Sequence, residues 1–396
     1  MRKPLLIGCT TFIIALAGFI IYLYFTLAPQ VNLVGWTSDG TLANVTIPDG
    51  FTINVFAQDL NGPRFLTVGP DNTIYVADRR ADRIVALPDA DGDGVADSQR
   101  IFATDVRRPH SILFHEGHAY VGITSGVIRL TDTDGDGVAD ERQTIIDDYP
   151  TVGAHGTRTL LFLPDGRLLV SIGSSCNVCI EDDPRRGGIV IYDADLNPAS
   201  ERIFATGLRN AVGLALQPNT DLVWATNNGR DLMGDDLPPE TISIVTDGAD
   251  YGWPRCHNGH IPDPEYGTDP DACAGVTPPV VEMQAHTAPL GLTFYPTDVT
   301  NLTNPFPTEY HGDLFVALHG SWNRSVPVGY SIVRLDMDGD QPATDTVTDF
   351  ATGWLRFDDN NESIVDGRPV GLTVGPDGAL YTTDDLGGFI YRIAPE

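Results

Sequence analysis

Residues 368–383 read R-P-V-G-L-T-V-G-P-D-G-A-L-Y-T-T, which is a short apolar strand, a Pro-Asp-Gly turn and a second strand. Proline restricts the backbone at the turn, and glycine accepts conformations that other residues avoid. Short apolar and β-branched runs on both sides of such a turn are typical of strands. The stretch therefore predicts a β-hairpin.

The same plan occurs five more times along the chain, beginning at Pro63, Pro109, Thr157, Arg209 and Ala288. The anchoring apolar positions recur at intervals of 46, 48, 54, 78 and 80 residues, and they are Leu66, Ile112, Leu160, Leu214, Leu292 and Leu372. The first three intervals fit one four-stranded blade each, and the last two hold extra loops of roughly 30 residues. Since a closed ring leaves no exposed sheet edge, we predict an all-β, six-bladed β-propeller over residues 50–396.

The first 30 residues have a different character. Arg2 and Lys3 precede an uncharged run over residues 5–28, which is long enough for a helix across a bilayer. A cleavable signal peptide would end in small residues, but Pro29 stands where cleavage would occur. Lipid attachment at Cys9 is an alternative. We predict an N-terminal transmembrane anchor helix over residues 1–30, a linker over 31–49 and, by the positive-inside rule, an extracytoplasmic propeller.

Cysteine usage and charge narrow the class of protein. Cys176 and Cys179 form C-N-V-C, and Cys256 and Cys273 flank a polar loop. This pattern predicts two local disulfides in an oxidising compartment, with a zinc or redox site at C-N-V-C as the alternative. A net charge of -30 argues against nucleic acid and anionic surfaces as partners.

Two acidic loops share one pattern: D-A-D-G-D-G-V-A-D over residues 89–97 and D-T-D-G-D-G-V-A-D over residues 132–140. Aspartates at loop positions 1, 3, 5 and 9 with glycine at 6 are typical of EF-hand-type calcium loops. Position 12 is Arg100 or Gln143 instead of glutamate. We predict Ca²⁺ in these loops, and acidic surface turns are the alternative. The predicted ligands are Asp89, Asp91, Asp93, Asp97, Asp132, Asp134, Asp136 and Asp140.

Polar residues stand just ahead of the first strand of each repeat. In a propeller the first strand of every blade lines the central channel, so these residues converge at one rim. They include Arg64, His110, His155, Arg158, Arg209, Asn210, His286 and Arg368. The sequence therefore predicts a cationic pocket on the axis, and solvated loop residues are the alternative.

Four motifs follow one another in the second half of the chain. They are R-N-A-V-G-L-A from Arg209, a Gly/Asp loop leading to Y-G-W-P, A-P-L-G-L-T-F-Y from Ala288, and G-R-P-V-G-L-T-V-G-P-D-G from Gly367. In these motifs the chain resembles the quinoprotein glucose/sorbosone dehydrogenase family, most closely its sorbosone dehydrogenase-like branch. The resemblance runs from about residue 50 to 392. It implies pyrroloquinoline quinone (PQQ) and Ca²⁺ in the channel mouth, and oxidation of an aldose or sorbosone-like sugar at C1 to a lactone or acid.

The resemblance also implies catalytic roles. His155 looks like the general base that takes the C1 hydroxyl proton while hydride passes to the quinone. Arg209 and Asn210 look like the pair that holds the quinone oxygens. These roles suit the chemistry, because cationic donors stabilise charge that develops on a quinone, and a histidine of pKa near 6.5 takes protons near neutrality.

Further residues look like ligands of the cofactor and its metal. Gly229 and Arg230 look like backbone-carbonyl ligands of the calcium ion, with Asp235 and Asp236 behind them. Arg368 looks like a partner for a PQQ carboxylate. The predicted cofactor pocket also includes Arg158, His286, His319 and Arg324.

Three functions are compatible with these residues. The first is a membrane-anchored, PQQ-dependent sugar dehydrogenase that passes electrons to a quinone or another respiratory acceptor. The second is a calcium-dependent lactonase, which needs a metal held by carboxylates. The third is a non-enzymatic extracellular recognition propeller. The third gains weight from three departures from the family pattern: the short spacing of His155 to Arg158, His319 in place of a lysine, and Val370 in place of a second arginine.

Overall fold

The first three blades of the propeller each use four consecutive strands. A computed structural model describes residues 35–36 and 42–396. Blade 1 consists of Pro63–Val68, Ile74–Asp78, Arg83–Leu87 and Arg100–Ala103. Blade 2 consists of Pro109–His115, His118–Ile123, Gly126–Thr131 and Glu141–Ile146. Blade 3 consists of Leu160–Phe162, Leu168–Ile172, Gly188–Tyr192 and Arg202–Thr206, with Ala249–Asp250 added at its edge.

The last three blades contain the longer insertions. Blade 4 consists of Ala211–Leu216, Val223–Asn227, Glu240–Val245 and Val281–Met283. Blade 5 consists of Pro289–Phe294, Leu314–Leu318, Ser331–Leu335 and Thr348–Ala351. Blade 6 consists of Pro369–Val374, Leu380–Asp384, Phe389–Pro395 and the early strand Phe51–Ala57. The predicted six-bladed, all-β architecture is confirmed.

Smaller elements decorate the ring. Gly35–Trp36, Leu355–Phe357 and Ser363–Val365 form a three-stranded sheet. Two further pairs of strands are Cys256–His257 with Ile261–Pro262 and Met337–Asp338 with Gln341–Pro342. The helical segments in the described part of the chain are three short 3-10 turns at Arg79–Ala81, Pro198–Ser200 and Thr308–Tyr310.

The ring is closed by pairing the two ends of the domain. Phe51–Ala57 runs antiparallel to Phe389–Pro395, with Phe51 opposite Pro395 and Ala57 opposite Ile390. The first strand of each blade contacts the first strand of the next, and that of blade 6 contacts that of blade 1. Closure therefore leaves each blade packed between two neighbours, as the hairpin repeats predicted.

The first strands approach one another closely around the axis. A Cβ on Gly291 would lie 2.6 Å from the carbonyl oxygen of Val370, so a larger side chain has no room there. Hydroxyl groups join adjacent blades: Thr226 Oγ1 donates to the Leu290 carbonyl and Thr383 Oγ1 to the Arg64 carbonyl, both at 2.7 Å. An apolar plug fills the channel centre, and it consists of Phe65, Val212, Leu290 and Val370.

The two acidic loops connect the third and fourth strands of blades 1 and 2. Because antiparallel strands alternate in direction, these loops lie on the face opposite the start of the first strands. Each loop is tied to the preceding blade: Ala96 N donates to the Phe56 carbonyl at 2.9 Å, and Ala139 N to the Phe102 carbonyl at 2.8 Å. The loops therefore link neighbouring blades, away from the polar rim.

The predicted anchor over residues 1–30, with its apolar run 5–28 and Cys9, lies outside the described residues. Residues 31–34 and 37–41 of the predicted linker over residues 31–49 lie outside them as well. Among residues 35–36 and 42–396, no helix has the length and apolar character needed to cross a membrane.

Candidate active site

The polar rim gathers side chains from all six blades at the starts of first strands and the ends of second strands. Blades 1 and 2 contribute Arg64 and His110, and a β-bulge between Pro63 and Leu66 accompanies Arg64. Bulges of this kind re-aim a side chain out of the regular ladder. The remaining blades contribute His155, Arg209, Asn210, His319, Arg368 and Asp385.

His155 is held in one tautomer at the rim. Its Nδ1 lies 3.0 Å from the Ser174 carbonyl oxygen and 2.9 Å from the Ser174 hydroxyl. A carbonyl oxygen only accepts, so Nδ1 carries the proton and Nε2 has a free lone pair. Nε2 makes no hydrogen bond within the described residues. The side chain is thus oriented as a proton acceptor.

The surroundings of His155 lower its pKa below the ordinary value that the sequence suggested. Burial, followed by the charge of Arg209, lowers the pKa of His155 to about 3, and the neighbouring Arg186 and Arg158 act in the same direction. The imidazole is therefore neutral throughout the physiological range. The ordinary histidine pKa near 6.5 that the sequence suggested does not apply to this side chain.

Arg158 lies behind His155 in the protein interior. Its side chain is 0% exposed. One guanidinium nitrogen donates to the carbonyls of His155 and Thr157 at 3.1 and 2.7 Å, and the other donates to the Pro150 carbonyl at 2.7 Å. These contacts fix the backbone on which His155 stands. The structure places the predicted cofactor ligand Arg158 in this supporting position.

Arg209 uses all five of its N–H groups on protein acceptors. Nε donates to the Asn177 carbonyl at 2.9 Å, and one terminal nitrogen donates to the carbonyls of Asn228 and Gly229 at 3.3 and 2.6 Å. The other terminal nitrogen donates to Asn177 Oδ1 at 2.9 Å and to Asp231 Oδ2 at 2.6 Å. The N–H groups of Arg209 therefore fix the surrounding loops, and only its positive charge can act on a molecule at the rim.

Asn210 and His155 lie on either side of Gly173, and the lack of a side chain at Gly173 lets them come close together. A Cβ on Gly173 would lie 2.5 Å from His155 Cβ and 2.6 Å from Asn210 Oδ1, so only glycine allows this approach. The Asn210 backbone N–H donates to Asn227 Oδ1 at 3.0 Å. The side-chain amide lies beside His155 with Oδ1 towards Gly173, and its NH₂ has no hydrogen-bond partner in the part of the chain that the structure describes.

The two predicted disulfides are present, joining Cys176 to Cys179 and Cys256 to Cys273. The first encloses Asn177, which the sequence did not single out. Asn177 Oδ1 accepts from Arg209 and, at 2.8 Å, from the Asp231 backbone N–H. Ser174 Oγ donates to the Cys176 carbonyl at 2.7 Å. This small loop therefore supports both His155 and Arg209. The only sequence signal for Asn177 was its position inside C-N-V-C.

The predicted calcium ligands at the rim have protein partners. The Gly229 carbonyl accepts from Arg209, and the Arg230 guanidinium donates to Asp263 at 2.5 Å. Asp235 accepts from the Ser325 backbone N–H at 3.0 Å, and Asp236 lies 3.4 Å from Arg324. Within the described residues, no cluster of three carboxylate, histidine or cysteine ligands forms here. A cation in this loop would depend on backbone carbonyls.

The acidic loops bring three aspartates together in each case. The ligand oxygens of Asp89, Asp91 and Asp93 lie within 4.8 Å of one another, as do those of Asp132, Asp134 and Asp136. The fourth predicted ligand of each loop stands apart from these groups. Asp97 accepts from the Ala90 N–H at 2.7 Å, and Asp140 accepts from the Thr133 N–H at 2.8 Å.

A second polar group, which we call the Asp385 cluster, consists of Arg64, His319, Arg368 and Asp385. Arg64 donates to Asp385 at 2.8 Å, and His319 Nε2 lies 2.9 Å from the other carboxylate oxygen. Arg368 donates to His319 Nδ1 at 2.7 Å, so His319 donates through Nε2. Asp385, which follows the second strand of blade 6, was not predicted. Its only sequence signal was its place at a strand end.

The charged groups of the Asp385 cluster shift one another's pKa values. Burial alone would raise the pKa of Asp385, but His319, Arg64 and Arg368 outweigh it and hold that pKa well below its usual range. Burial and the charge of Arg368 lower the pKa of His319 to about 4. At neutral pH the cluster thus consists of two guanidinium cations, one carboxylate and a neutral imidazole.

His286 and Arg324 lie on the blade 5 side of the rim. His286 Nδ1 accepts from the Asn323 amide at 3.2 Å, and Nε2 donates to the Gly234 carbonyl at 2.9 Å. Arg324 donates to the carbonyls of Asp235 and Ala285. Asn323 also donates to Asp231 at 3.2 Å, which connects these residues to Arg209.

Glu240 is a buried acid in the same network, which the sequence did not reveal. Its Oε2 accepts from the Gly229 N–H at 2.6 Å. Burial raises the pKa of Glu240 to about 7 from 4.5. The unfolded chain therefore releases this proton at lower pH than the folded protein, so the stability due to Glu240 is present below about pH 4.5 and is lost as the pH rises to about 7.

We expect Glu240→Gln to remove that loss, which is about 3 kcal/mol for a shift of this size. The measurement is the free energy of unfolding in urea at pH 5 and pH 8, for the wild type and the variant. The wild type should lose more stability than the variant between the two pH values. An equal pH dependence in both proteins would contradict the assignment. All other titrating groups are common to both proteins and cancel in the comparison.

Two family models match the chain. "TrAA12-like" matches residues 258–396, and "Domain of unknown function (DUF7133)" matches residues 39–243, which is more than half of the chain. An uncharacterized protein of Borreliella burgdorferi is 36% identical over 230 residues, covering 58% of this chain and 57% of the relative. A pyrroloquinoline quinone-dependent pyranose dehydrogenase of Coprinopsis cinerea is 25% identical over 411 residues, covering 88% of this chain and 54% of the relative.

The chain thus spans about half the length of these two curated relatives. The holo form of the PQQ domain of the Coprinopsis cinerea pyranose dehydrogenase has the same fold, with a TM-score of 0.77 at 21% identity over 91% of this chain and 98% of that one. Other relatives and structural neighbours are also sugar or aldose dehydrogenases. They confirm the predicted resemblance to the quinoprotein glucose/sorbosone dehydrogenases. The chain belongs to the DUF7133 family.

Proposed function

We propose that this protein is a PQQ-dependent sugar dehydrogenase that oxidises an aldose or sorbosone-like sugar at C1 to the lactone or acid. The observation that carries the proposal is His155, a neutral histidine whose Nδ1–H is fixed by Ser174 and whose Nε2 is open at the rim. The relatives named as PQQ-dependent dehydrogenases support the cofactor and the class of substrate. We further propose that the enzyme works outside the cytoplasm, anchored by residues 5–28, and passes electrons to a quinone or another respiratory acceptor.

The residues at the rim fit a flat, anionic cofactor. PQQ carries three carboxylates, and arginines are well suited to bind such groups. Arg64 and Arg368 flank the axis, while Arg209 adds a buried positive charge. The Asn210 amide supplies a free donor beside His155. The apolar plug, which includes Phe65 and Val370, closes the channel below.

In the proposed mechanism the bound quinone supplies a hydride acceptor. His155 Nε2 takes the proton of the sugar C1 hydroxyl, and its Nδ1–H remains hydrogen-bonded to Ser174. Asn210 donates to an oxygen that becomes negative in the transition state, and Arg209 stabilises that charge from behind. A positioned general base contributes roughly 10²–10⁴-fold to the rate when its pKa lies near the working pH, so this role requires the bound anionic cofactor to raise the pKa of His155 from about 3.

We propose Ca²⁺ in two settings. At the rim, the backbone carbonyls of Gly229 and Arg230 are the proposed ligands, which requires the Gly229 carbonyl to exchange its bond with Arg209. On the opposite face, the aspartate groups of the two acidic loops are the proposed ligands. Since these loops tie blade 1 to blade 6 and blade 2 to blade 1, calcium there would stabilise the ring without taking part in catalysis.

A lactonase has less support. That reaction needs a metal held by carboxylate side chains at the channel centre. Among the described residues, the carboxylate-rich ligand groups lie in the acidic loops, and the one other group joins Glu181 to the disulfide-bonded Cys176 and Cys179. The rim instead presents arginine, asparagine, neutral histidine and one carboxylate, Asp385, which is paired with Arg64 and His319.

The experiment is a titration of the full-length protein with PQQ in the presence and absence of Ca²⁺, followed by dye reduction with a panel of sugars. We expect saturable PQQ binding and sugar-dependent dye reduction that increases with added Ca²⁺. Absence of both PQQ binding and dye reduction would overturn the proposal. PQQ binding with no reduction by any sugar would overturn the proposed class of substrate.

A further inference from the structure

A cationic cleft opens beside the rim, on the side of blades 1 and 2. Its volume is about 490 Å³, which lies within the range of small-molecule sites. The residues that line it are almost all charged or polar: Gly62, Arg64, Arg79, Arg80, Asp82, Arg108, Thr157 and Asp385. Four arginines therefore face two aspartates in a protein whose net charge is -30.

Three of these arginines have no ion-pair partner. Within residues 42–396, no carboxylate lies within 4.0 Å of the guanidinium groups of Arg79, Arg80 or Arg108. Arg79 donates to the carbonyl oxygens of Arg108 and Pro109 at 2.9 and 3.3 Å, and Arg80 donates to the Asp385 carbonyl at 2.8 Å. Asp82 is used by the Arg108 backbone N–H at 2.7 Å. With only two aspartates against four arginines in its lining, the cleft keeps an excess of positive charge.

The excess of positive charge in the cleft is reflected in the pKa of Arg79. Burial and the neighbouring cations Arg64 and Arg108 lower the pKa of Arg79 to about 9. The guanidinium is held in place by backbone carbonyls, which fix its direction but do not neutralise it. An anion in the cleft would relieve the repulsion among these side chains.

The cleft borders the proposed catalytic residues but is separate from them. Thr157, which lines the cleft, is two residues from His155, and Arg64 and Asp385 belong to both the cleft and the Asp385 cluster. His155 and Asn210 stand on blades 3 and 4, whereas the three unpaired arginines stand on blades 1 and 2. A molecule with one end at His155 can therefore place its other end in the cleft.

We propose that this cleft is a subsite for the negatively charged group of an anionic sugar, a carboxylate or a phosphate, with Arg79, Arg80 and Arg108 as its ligands. The inference rests on the proposed function, since it names the class of sugar that the dehydrogenase would use. Arginine forks bind carboxylates and phosphates through paired, charge-assisted hydrogen bonds. The polar lining suits the hydroxyl groups of the sugar ring.

The test is calorimetric titration of the full-length protein with D-glucuronate, D-glucose 6-phosphate and D-glucose. At least one anionic sugar is expected to bind at least tenfold more tightly than glucose, and the first two ligands distinguish a carboxylate from a phosphate. Arg79→Gln and, separately, the exposed Arg80→Gln should each weaken that binding about tenfold, equivalent to about 1.4 kcal/mol. Arg129→Gln is the matched control, because Arg129 lies far along blade 2 and donates to Gln143 at 2.6 Å.

Equal binding of the three sugars, or unchanged binding of the anionic sugars in both Arg79→Gln and Arg80→Gln, would overturn the inference. So would a loss of PQQ affinity in these variants at unchanged sugar binding, because the arginines would then serve the cofactor. Failure of this inference is distinguishable from failure of the proposed function. PQQ binding and glucose oxidation without anionic-sugar binding would refute only the subsite, whereas anionic-sugar binding without PQQ binding would refute only the dehydrogenase.

Discussion

His155→Ala is expected to lower kcat by about 10²–10⁴-fold while PQQ still binds, a loss of roughly 3–5 kcal/mol of transition-state stabilisation. The reason is that the Nε2 lone pair of His155 is the proposed acceptor of the sugar hydroxyl proton. The imidazole makes its structural contacts through Nδ1 to Ser174 and not to the arginines of the rim. Its removal should therefore leave the cationic pocket in place.

Steady-state dye reduction and a PQQ titration on the same preparation measure the two effects separately. His260→Ala is the control, because His260 is exposed and its Nδ1 contacts only the Asn258 carbonyl at 3.0 Å and Glu282 at 3.6 Å, neither of which belongs to the rim. Turnover of His155→Ala equal to that of the wild type would remove His155 from its proposed role. Loss of PQQ binding in His155→Ala, but not in the control, would make it a cofactor ligand instead of a base.

Asp385→Asn is expected to lower the free energy of unfolding by about 3–5 kcal/mol, since it leaves buried cations without their carboxylate. The side chains of both Arg64 and Asp385 are 10% exposed, so solvent compensates little for the lost charge. His319 also loses the charged acceptor of its Nε2 proton. The substitution keeps the size of the side chain, so the effect reports on charge and not on packing.

Urea unfolding of Asp385→Asn and of Asp165→Asn provides the comparison. Asp165 pairs with Arg167 at 2.8 Å, but the two side chains are 54% and 38% exposed, and an exposed pair contributes at most about 1 kcal/mol. The two substitutions are chemically identical and differ in burial. A similar small loss of stability in both variants would contradict the view that Asp385 is the compensating charge of the rim.

The fold could be predicted from sequence because its signals are local and repeated. Each hairpin carries its own turn residues, and the spacing between Leu66, Ile112 and Leu160 measures the length of a blade directly. The identity of the closing strand is less local: Phe51–Ala57 pairs with a strand more than 300 residues away. The prediction of a ring nevertheless required such a closure, because six open blades would have left an edge exposed.

The rim residues were predictable as a set, but their partners were not. Asn177, Glu240 and Asp385 sit on separate segments, and only the folded ring brings them against Arg209, Gly229 and Arg64. For the same reason the sequence suggested an ordinary pKa for His155. The pKa depends on burial and on three arginines, two of which, Arg209 and Arg186, come from other segments that no local pattern records. The sequence also could not reveal that every N–H group of Arg209 donates to a protein acceptor.

Ring closure by Phe51–Ala57 also sets the order of events during synthesis. The partner of this strand is Phe389–Pro395, so the last blade cannot assemble until the chain has been synthesised through Pro395. Until then the apolar strand Phe51–Ala57 has no partner, and its backbone hydrogen-bonding groups are exposed at the edge of an incomplete ring. Such an edge invites pairing with another nascent chain, so holdase chaperones and slow, dilute production should matter more for this protein than for one whose N-terminal strands pair locally.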